Sequence, residues 1–230
     1  MDLLQQLISD PASKLSIYTI FYNTNMKISD YKKQLKELYL PPSKFPVIVE
    51  VPEFKFIMFD GAGAPADKSF QEAIGALYGI IYTIKFMPKA GVKVKEYYPF
   101  KVPALEGLWW TKSGSTYEMK KYSDWLWTVM IMVPDFVDNE LLEQAKIMAG
   151  KKKPEINYSK VRLETFKEGK AVQIMHVGPY DQEAVNLKKM EDFATAQGLK
   201  FTGKHHEIYM SDPRRTKPDK IKTVLRHPVA

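Results

Sequence analysis

The 230-residue sequence contains no cysteine. A disulfide framework, thiolate catalysis and thiolate metal sites are therefore excluded together. Long apolar runs are also missing, because Lys85, Lys93 and Lys95 interrupt the most apolar region before it reaches the roughly 18 residues that a membrane-spanning helix needs. The first residues carry Asp2 and Asp10 and no basic segment followed by an apolar run. We therefore expect no secretory signal, a cytoplasmic location and no membrane partner.

The formal charge of +7 would suit nucleic acid if the basic residues were clustered on one face. Most of them are dispersed along the chain. The two densest runs, 151–153 and 214–222, are expected at a helix end and in a hairpin loop, where cations are normally solvated. The first 45 residues also lack a pair of helices joined by a short glycine turn. Direct nucleic-acid binding is therefore disfavoured.

The apolar content of 45% is enough for one compact core at this length. Residues 1–25 are weakly patterned, and we expect them to be an appendage. Ser29 or Asp30 can cap a short helix that runs through Leu38 and ends before Pro41. These features divide the chain into an N-terminal extension with a short helix, 1–45, and a main domain, 46–230.

The first module of the main domain is predicted over 48–134. A strand begins at Ile48 and ends in the turn at 60–65, which is rich in glycine and proline. Asp67 can cap the following helix, whose apolar residues recur at three- and four-residue steps. Strands at Val102 to Thr111 and Trp125 to Val133 follow, joined by a polar connection that contains 113–115.

A bridging helix is predicted over 138–150, beginning at Asp138 and ending at Gly150. The second module, 160–230, repeats the order of the first. Its predicted elements are a strand at 170–177, a helix at 181–197 with Val185, Leu187, Met190 and Phe193 as its apolar side, and strands at 206–210 and 223–226. The fold class is therefore α+β: two pseudo-two-fold-related strand-helix-strand-strand modules with an antiparallel sheet that encloses a ligand cleft.

Two carboxylates lie among apolar strand residues. Alternation along a strand places Glu207 and Tyr209 on one face, and Glu106 on the same face as Leu108 and Trp110. Four tryptophans lie on adjacent predicted strands, close to Tyr98, Tyr117 and Tyr122, and about half of them can face a cleft while the others fill the core. A carboxylate among aromatic rings can bind cations or relay protons. The candidate ligand-binding residues are Glu207, Tyr209, Glu106, Trp109, Trp110, Trp125, Trp127 and Tyr98.

The sequence offers no spacing typical of a metal or a nucleotide cofactor. His205 and His206 are neighbours, so a strand would direct them to opposite faces, and His176 and His227 have no ligand spacing either. The glycine turn at 60–63 lacks the third glycine of a dinucleotide-binding loop. We expect neither a metal nor a cofactor.

Four segments, 54–61, 103–110, 176–180 and 206–213, together resemble the GyrI-like small-molecule-binding family over roughly residues 27–230. The resemblance implies a pseudo-two-fold pair of modules with a ligand cleft between them and a buried glutamate facing cationic or planar aromatic ligands. Glu207, followed by Ile208 and Tyr209, is the best match to that glutamate. The run containing Glu106, from Leu105 to Trp110, resembles the stand-alone branch, of which some members are reported to open the cyclopropane ring of DNA-alkylating natural products.

Three functions remain open at this point. The first is a binder of planar, hydrophobic, often cationic compounds, acting by sequestration or detoxification with Glu207 central. The second is a hydrolase of cyclopropane-containing genotoxins in which Glu207 and Glu106 are the catalytic residues. The third is an inhibitor of a protein partner, for which Arg214, Arg215 and Lys217 would be the contacts to test. The sequence leaves both monomer and dimer open.

Overall fold

The structure is a computed structural model that describes residues 30–112 and 124–230. Residues 1–29 and 113–123 lie outside the described residues, and with them the predictions for the N-terminal appendage, the cap at Ser29, the connection at 113–115, Tyr117 and Tyr122. The described strands are β1 (Val47–Ala62), β2 (Leu105–Thr111), β3 (Trp125–Met132), β4 (Arg162–Val177), β5 (His205–Tyr209) and β6 (Lys222–Pro228). The α-helices are α1 (Tyr31–Gln34), α2 (Lys36–Tyr39), α3 (Lys68–Phe86), α4 (Asn139–Lys152) and α5 (Glu183–Ala196).

The strands form a closed barrel in the order β1-β3-β2-β5-β6-β4, with β4 returning to β1, and every pairing is antiparallel. Each half has the order strand, helix, strand, strand. The halves meet where β1 pairs with β4 and where β2 pairs with β5, so that each strand at the junction meets its counterpart. A two-fold relation between the halves requires this like-to-like pairing. The α+β fold of two related modules is therefore confirmed.

Alternation along the strands gives the closed sheet two different faces. One face carries Ile57, Trp109 and Val129, which share a hydrophobic cluster with α3 and α4. The opposite face carries Phe56, Leu108 and further apolar residues of another cluster. A six-stranded barrel has no room for helices inside, so the face covered by α3 and α5 is the outer face and the opposite one is the inner face.

The inner face also carries a buried ion network, which we define as Glu106, Glu168, His206 and Arg226. His206 lies between the two acids, with Nε2 3.0 Å from Glu106 and Nδ1 2.9 Å from Glu168. The Arg226 guanidinium donates to Glu168 at 3.1 Å. All four side chains are buried, and two acids balance two bases, as burial of charge requires.

The segment before β1 is tied to this network. The Tyr39 hydroxyl donates to Glu106 at 2.9 Å, and Arg226 donates to the carbonyl of Leu38 at 2.7 Å. Gln173, which itself accepts from Arg226, donates to the carbonyl of Glu37 at 2.6 Å. Residues 30–40 therefore belong to the same packed unit as the sheet. They form two four-residue helices, where the sequence predicted one short helix.

β4 begins at Arg162, eight residues before the predicted start at Lys170. Its first half contains only half-buried and exposed residues, so the buried apolar run that marks the second half is missing there. Backbone pairing with the equally long β1 holds this half in the sheet, from Arg162 opposite Met58 to Gly169 opposite Val51. Pairing with β1, more than burial of its own side chains, therefore holds the first half of β4 in a strand.

Two predicted helix caps have different outcomes. Asp138 caps α4, since its Oδ1 accepts from the amide of Leu141 at 2.8 Å. Asp67 occupies the N-cap position of α3, but its carboxylate accepts from the amide of Ala64 at 2.7 Å and thus closes the preceding turn. Within 30–112 and 124–230, none of the helices is long and apolar enough to cross a membrane.

Candidate functional site

A cleft of about 1510 Å³ lies on the outer face, between α3 and the turn that leads into α5. Its floor is formed by outer-face residues of β2, β3 and β5, and the loop 210–215 forms part of its rim. The residues that carry its chemistry are Trp109, Trp125, Tyr180, Glu183, Glu207 and Tyr209. The cleft therefore combines aromatic rings with two buried carboxyl groups, those of Glu183 and Glu207.

A glycine opens the floor of the cleft at the junction between the modules. Gly107 of β2 lies directly opposite Glu207 of β5. A Cβ atom at Gly107 would lie 2.9 Å from both Trp109 Nε1 and the Tyr209 hydroxyl oxygen. These two groups are hydrogen bonded across the glycine, with the indole donating to the hydroxyl at 3.1 Å. Any larger residue at 107 would displace this pair.

Glu207 is only 6% exposed although it borders the cleft. The hydroxyl of Tyr209 is hydrogen bonded to it, and Nε2 of the buried His205 lies 3.5 Å from its Oε1. Burial and the negative charge of Glu207 raise the pKa of Tyr209 well above its usual value. The phenol therefore keeps its proton at neutral pH and serves as a donor to the carboxylate.

Glu183 is the second carboxyl group and the first residue of α5. Its side chain is 1% exposed, and its buried Oε1 has no hydrogen-bond partner. Burial, together with the charge of Glu207, raises the pKa of Glu183 to about 10. Glu183 therefore keeps its proton at neutral pH.

Tyr180 completes this part of the cleft. Its ring lies edge-on to that of Tyr209, with the centroids 6.2 Å apart at 82°. Burial, followed by the charges of Glu207 and Glu183, raises the pKa of Tyr180 to about 12. The cleft thus contains two protonated phenols beside the carboxyl groups of Glu183 and Glu207.

The model of the GyrI-like small molecule binding domain matches residues 44–230. The chain belongs to this GyrI-like family. Among solved structures, an uncharacterized conserved protein from Listeria innocua is 44% identical, with a TM-score of 0.83, over 88% of this chain and 100% of the other. A structure described as a hydrolase from the same organism is 43% identical, with a TM-score of 0.80, over 88% and 100%.

A hydrolase encoded by lin2189 of Listeria innocua is 42% identical, with a TM-score of 0.83, over 89% of this chain and 100% of the other. No curated protein matches the sequence. The GyrI-like assignment therefore establishes a small-molecule-binding domain, and the residues of the cleft carry the argument on what it binds.

Of the eight predicted site residues, this GyrI-like domain brings four together at the cleft: Glu207, Tyr209, Trp109 and Trp125. Trp127 lies in the core, fully buried, with its ring edge-on to Phe70 at 5.0 Å. Trp110 lies on the inner-face side, where the Lys204 ammonium is 3.5 Å from its ring centroid. Tyr98 packs edge-on against Phe136 at 5.1 Å.

Glu106 does not reach the cleft. The sheet pairs Glu207 with Gly107 and Glu106 with Ile208, so the two glutamates lie on opposite faces. A shift of one residue reverses the face on which a strand residue lies. Glu106 therefore joins the buried ion network on the inner face. His205 and His206 lie on opposite faces, as alternation predicts.

Glu183 and Tyr180 are site residues that the sequence analysis missed. A signal for Glu183 exists, because residues 183, 187, 190 and 194 follow four-, three- and four-residue steps along one helix face. Met190 and Ala194 are buried on that face, so Glu183 is a carboxyl group on an otherwise apolar stripe. The predicted stripe included Val185, which is 64% exposed. Placing residue 183 on the stripe in place of Val185, one four-residue step before Leu187, would have found Glu183.

No group of three or more histidine, aspartate or glutamate side chains is arranged to hold a metal ion in the part of the chain that the structure describes. The candidate site in this GyrI-like domain consists of two buried, electrostatically coupled carboxyl groups with phenol and indole walls.

Proposed function

We propose that this chain binds planar, hydrophobic, often cationic small molecules in the cleft, for sequestration or detoxification, with Glu207 as the central anion. The observation that carries the proposal is the burial of Glu183 and Glu207 in a cleft walled by aromatic rings, where burial and the charge of Glu207 raise the pKa of Glu183. An apolar cation can neutralise this charge without leaving another charge buried and unpaired.

The rings add a second source of affinity. Trp109 and Trp125 pack edge-on to each other, with centroids 5.5 Å apart, and both border the cleft. A cation over an indole or phenol face gains about 0.5–2 kcal/mol, with the larger values in desolvated sites. A planar ligand also gains by covering ring surface that water now contacts. Charge and planarity of the ligand should therefore both raise affinity.

A pair of matched ligands tests the role of charge. We expect 1-methylquinolinium, a planar cation, to bind at least tenfold more tightly than quinoline, which is neutral at pH 7.5 and has the same ring system. The difference arises because only the cation pairs with the carboxylate. Isothermal titration calorimetry at pH 7.5 measures both affinities. Equal affinities would contradict the proposal.

A second candidate function is hydrolysis of cyclopropane-containing genotoxins in the same cleft. Two observations favour it: structures described as hydrolases are 43% and 42% identical to this chain, and the carboxyl pair combines a base with an acid. Glu207 would accept a proton from water, whose oxygen would bond to a ring CH₂. The broken C–C bond would deliver its electron pair to the conjugated carbonyl, whose oxygen would take a proton from Glu183 or Tyr180.

Turnover separates the two functions. If the protein is a hydrolase, incubating it with a twentyfold excess of a cyclopropane-fused dienone should yield the ring-opened alcohol, with a mass increase of one water, well beyond one equivalent of protein. Mass spectrometry of the product over time measures this, with protein carrying Glu207→Gln as the control. Product that stops at one equivalent would restrict the chain to binding, and an equal rate in the control would remove Glu207 from the reaction.

A further inference from the structure

A row of three aromatic rings runs along α3 and is not accounted for by the carboxyl pair. Tyr78, Tyr82 and Phe86 follow four-residue steps, and we refer to them as the aromatic row. Their successive ring centroids are 6.2 Å apart in both cases, with interplanar angles of 28° and 13°. Tyr82 is 46% exposed and Phe86 is 42% exposed. Large aromatic rings that remain this exposed indicate a surface for contact.

The aromatic row belongs to the same cleft as Glu207. All three of its residues line that cleft, together with the loop 210–215. Asp212 of this loop connects the two ends electrostatically: its charge acts on Tyr180, beside the carboxyl pair, and on Tyr78, the first ring of the row. The row therefore continues the wall that begins at the carboxyl pair.

The two ends of the cleft differ in chemistry. At one end a carboxyl pair is buried among Trp109, Tyr180 and Tyr209. Near the row Asp212 is already paired, since it accepts from the Arg214 guanidinium at 3.0 Å through two nitrogens. A ligand there would meet the three rings, with the Lys89 ammonium 5.4 Å from the ring centroid of Phe86. From residue 78 to residue 86 the helix rises about 12 Å, which is the length of two to three fused or linked rings.

We propose that the aromatic row is a second subsite, so that the cleft takes an elongated, multi-ring planar cation. Its charged ring lies at Glu183 and Glu207, and its distal rings lie on Tyr82 and Phe86. This inference rests on the proposed function, because the charged end of the ligand uses the same carboxyl pair. It adds a length requirement that the carboxyl pair alone does not impose.

Two cations of different length test it. Thioflavin T is a long planar cation with linked ring systems, and 1-methylquinolinium spans a single fused pair. With the double variant Tyr82→Ala/Phe86→Ala, we expect affinity for thioflavin T to fall about tenfold or more, and affinity for 1-methylquinolinium to change less than twofold. Phe45→Ala is the matched control, since Phe45 is 59% exposed and does not line the cleft. It should leave both affinities unchanged.

The outcomes distinguish the subsite from the carboxyl site. If the double variant binds both cations as the native protein does, or weakens both equally, the subsite is wrong even though Glu207→Gln still weakens both. If neither cation binds the native protein, or Glu207→Gln has no effect, the proposed function fails and the subsite with it. If the double variant binds thioflavin T normally and converts a dimer into a monomer in sedimentation, the row is an interface between copies.

Discussion

Replacing Glu207 by glutamine is expected to weaken binding of 1-methylquinolinium roughly 10- to 100-fold at pH 7, about 1.4–2.7 kcal/mol. The amide retains the shape of the carboxylate but cannot neutralise a cation. Replacing Glu183 by glutamine is expected to change the same affinity less than about threefold. Glu183 already holds a proton at pH 7, because its pKa is raised to about 10, and a neutral carboxyl group resembles an amide. Two substitutions of the same kind, in one cleft, should therefore have unequal effects.

Calorimetric titration of both single variants and of the combined variant Glu183→Gln/Glu207→Gln measures this asymmetry. The combined variant should bind 1-methylquinolinium no better than Glu207→Gln does. If Glu183→Gln is the more damaging single change, the negative charge lies on Glu183 and the assigned roles are wrong. Equal binding by Glu207→Gln and the native protein would remove Glu207 from the ligand site.

The free energy of unfolding gives an independent test of the proton held by Glu183. The pKa of Glu183 in the folded protein is about 10, above its usual value of 4.5. The folded state therefore holds a proton that the unfolded chain releases between these two values, and the free energy of unfolding falls as the pH rises across this window. Glu183→Gln removes this dependence. The variant should be more stable than the native protein at pH 8, by a margin that grows from pH 6 to pH 9.

The sequence was sufficient for the fold because local signals agree with the pairing of the strands. The turn after β1, the cap at Asp138 and the glycine after α5 end or begin elements where they are predicted. Repetition of the element order then implied two related modules, which the like-to-like pairing at both junctions confirms. These signals concern neighbours in sequence, so no knowledge of tertiary contacts was needed.

The site was less accessible because it depends on register between strands. The choice between Glu106 and Glu207 for the cleft turns on a single residue of offset, and apolar patterning cannot fix that offset when both faces of the sheet are buried. Indeed β2 is buried on both faces over nearly its whole length. The sequence could not assign Trp109 to the cleft and Trp127 to the core either. The two residues lie directly opposite each other on paired strands and differ only in how deeply they are buried.

Trp127 is held in the core by its other neighbour. It faces Gly61 across the β1–β3 pairing, and its indole occupies the space of the missing side chain, so a Cβ atom at Gly61 would lie 2.1 Å from the ring. This packing places the indole in the core and not in the cleft. No pattern in the sequence joins residues 61 and 127, so only the fold could assign Trp127 to the core.

Replacing Glu168 by glutamine is expected to lower the free energy of unfolding by about 3–5 kcal/mol, because it leaves the buried Arg226 and His206 with too little counter-charge. Burial opposes ionisation of Glu168, but His206 and Arg226 outweigh it and lower the pKa of Glu168 to about 2. Burial would likewise lower the pKa of His206, but Glu168 and Glu106 raise it to about 9. Glu168 and His206 are thus both charged at neutral pH.

Equilibrium unfolding in urea measures the loss, and Glu164→Gln is the matched control on the same strand. Glu164 pairs with Arg162 at 2.6 Å, but both side chains are substantially exposed, so its loss should cost no more than about 1 kcal/mol. Similar costs for the two variants would contradict a stabilising role for the buried network.

The contributions of Glu168 and His206 to the free energy of unfolding depend on pH in opposite directions. Glu168 stabilises the native protein above its usual pKa of 4.5, and that contribution is lost as the pH falls toward 2. His206 contributes fully below 6.5, and its contribution is lost as the pH rises toward 9. Since Glu168 is the main group that raises the pKa of His206, Glu168→Gln should also flatten the decline in the free energy of unfolding between pH 6.5 and 9.

The same variant should loosen the segment 30–40, because Arg226 and Glu106 hold Leu38 and Tyr39. We expect amide hydrogen exchange in Glu168→Gln to be faster in this segment than in β3.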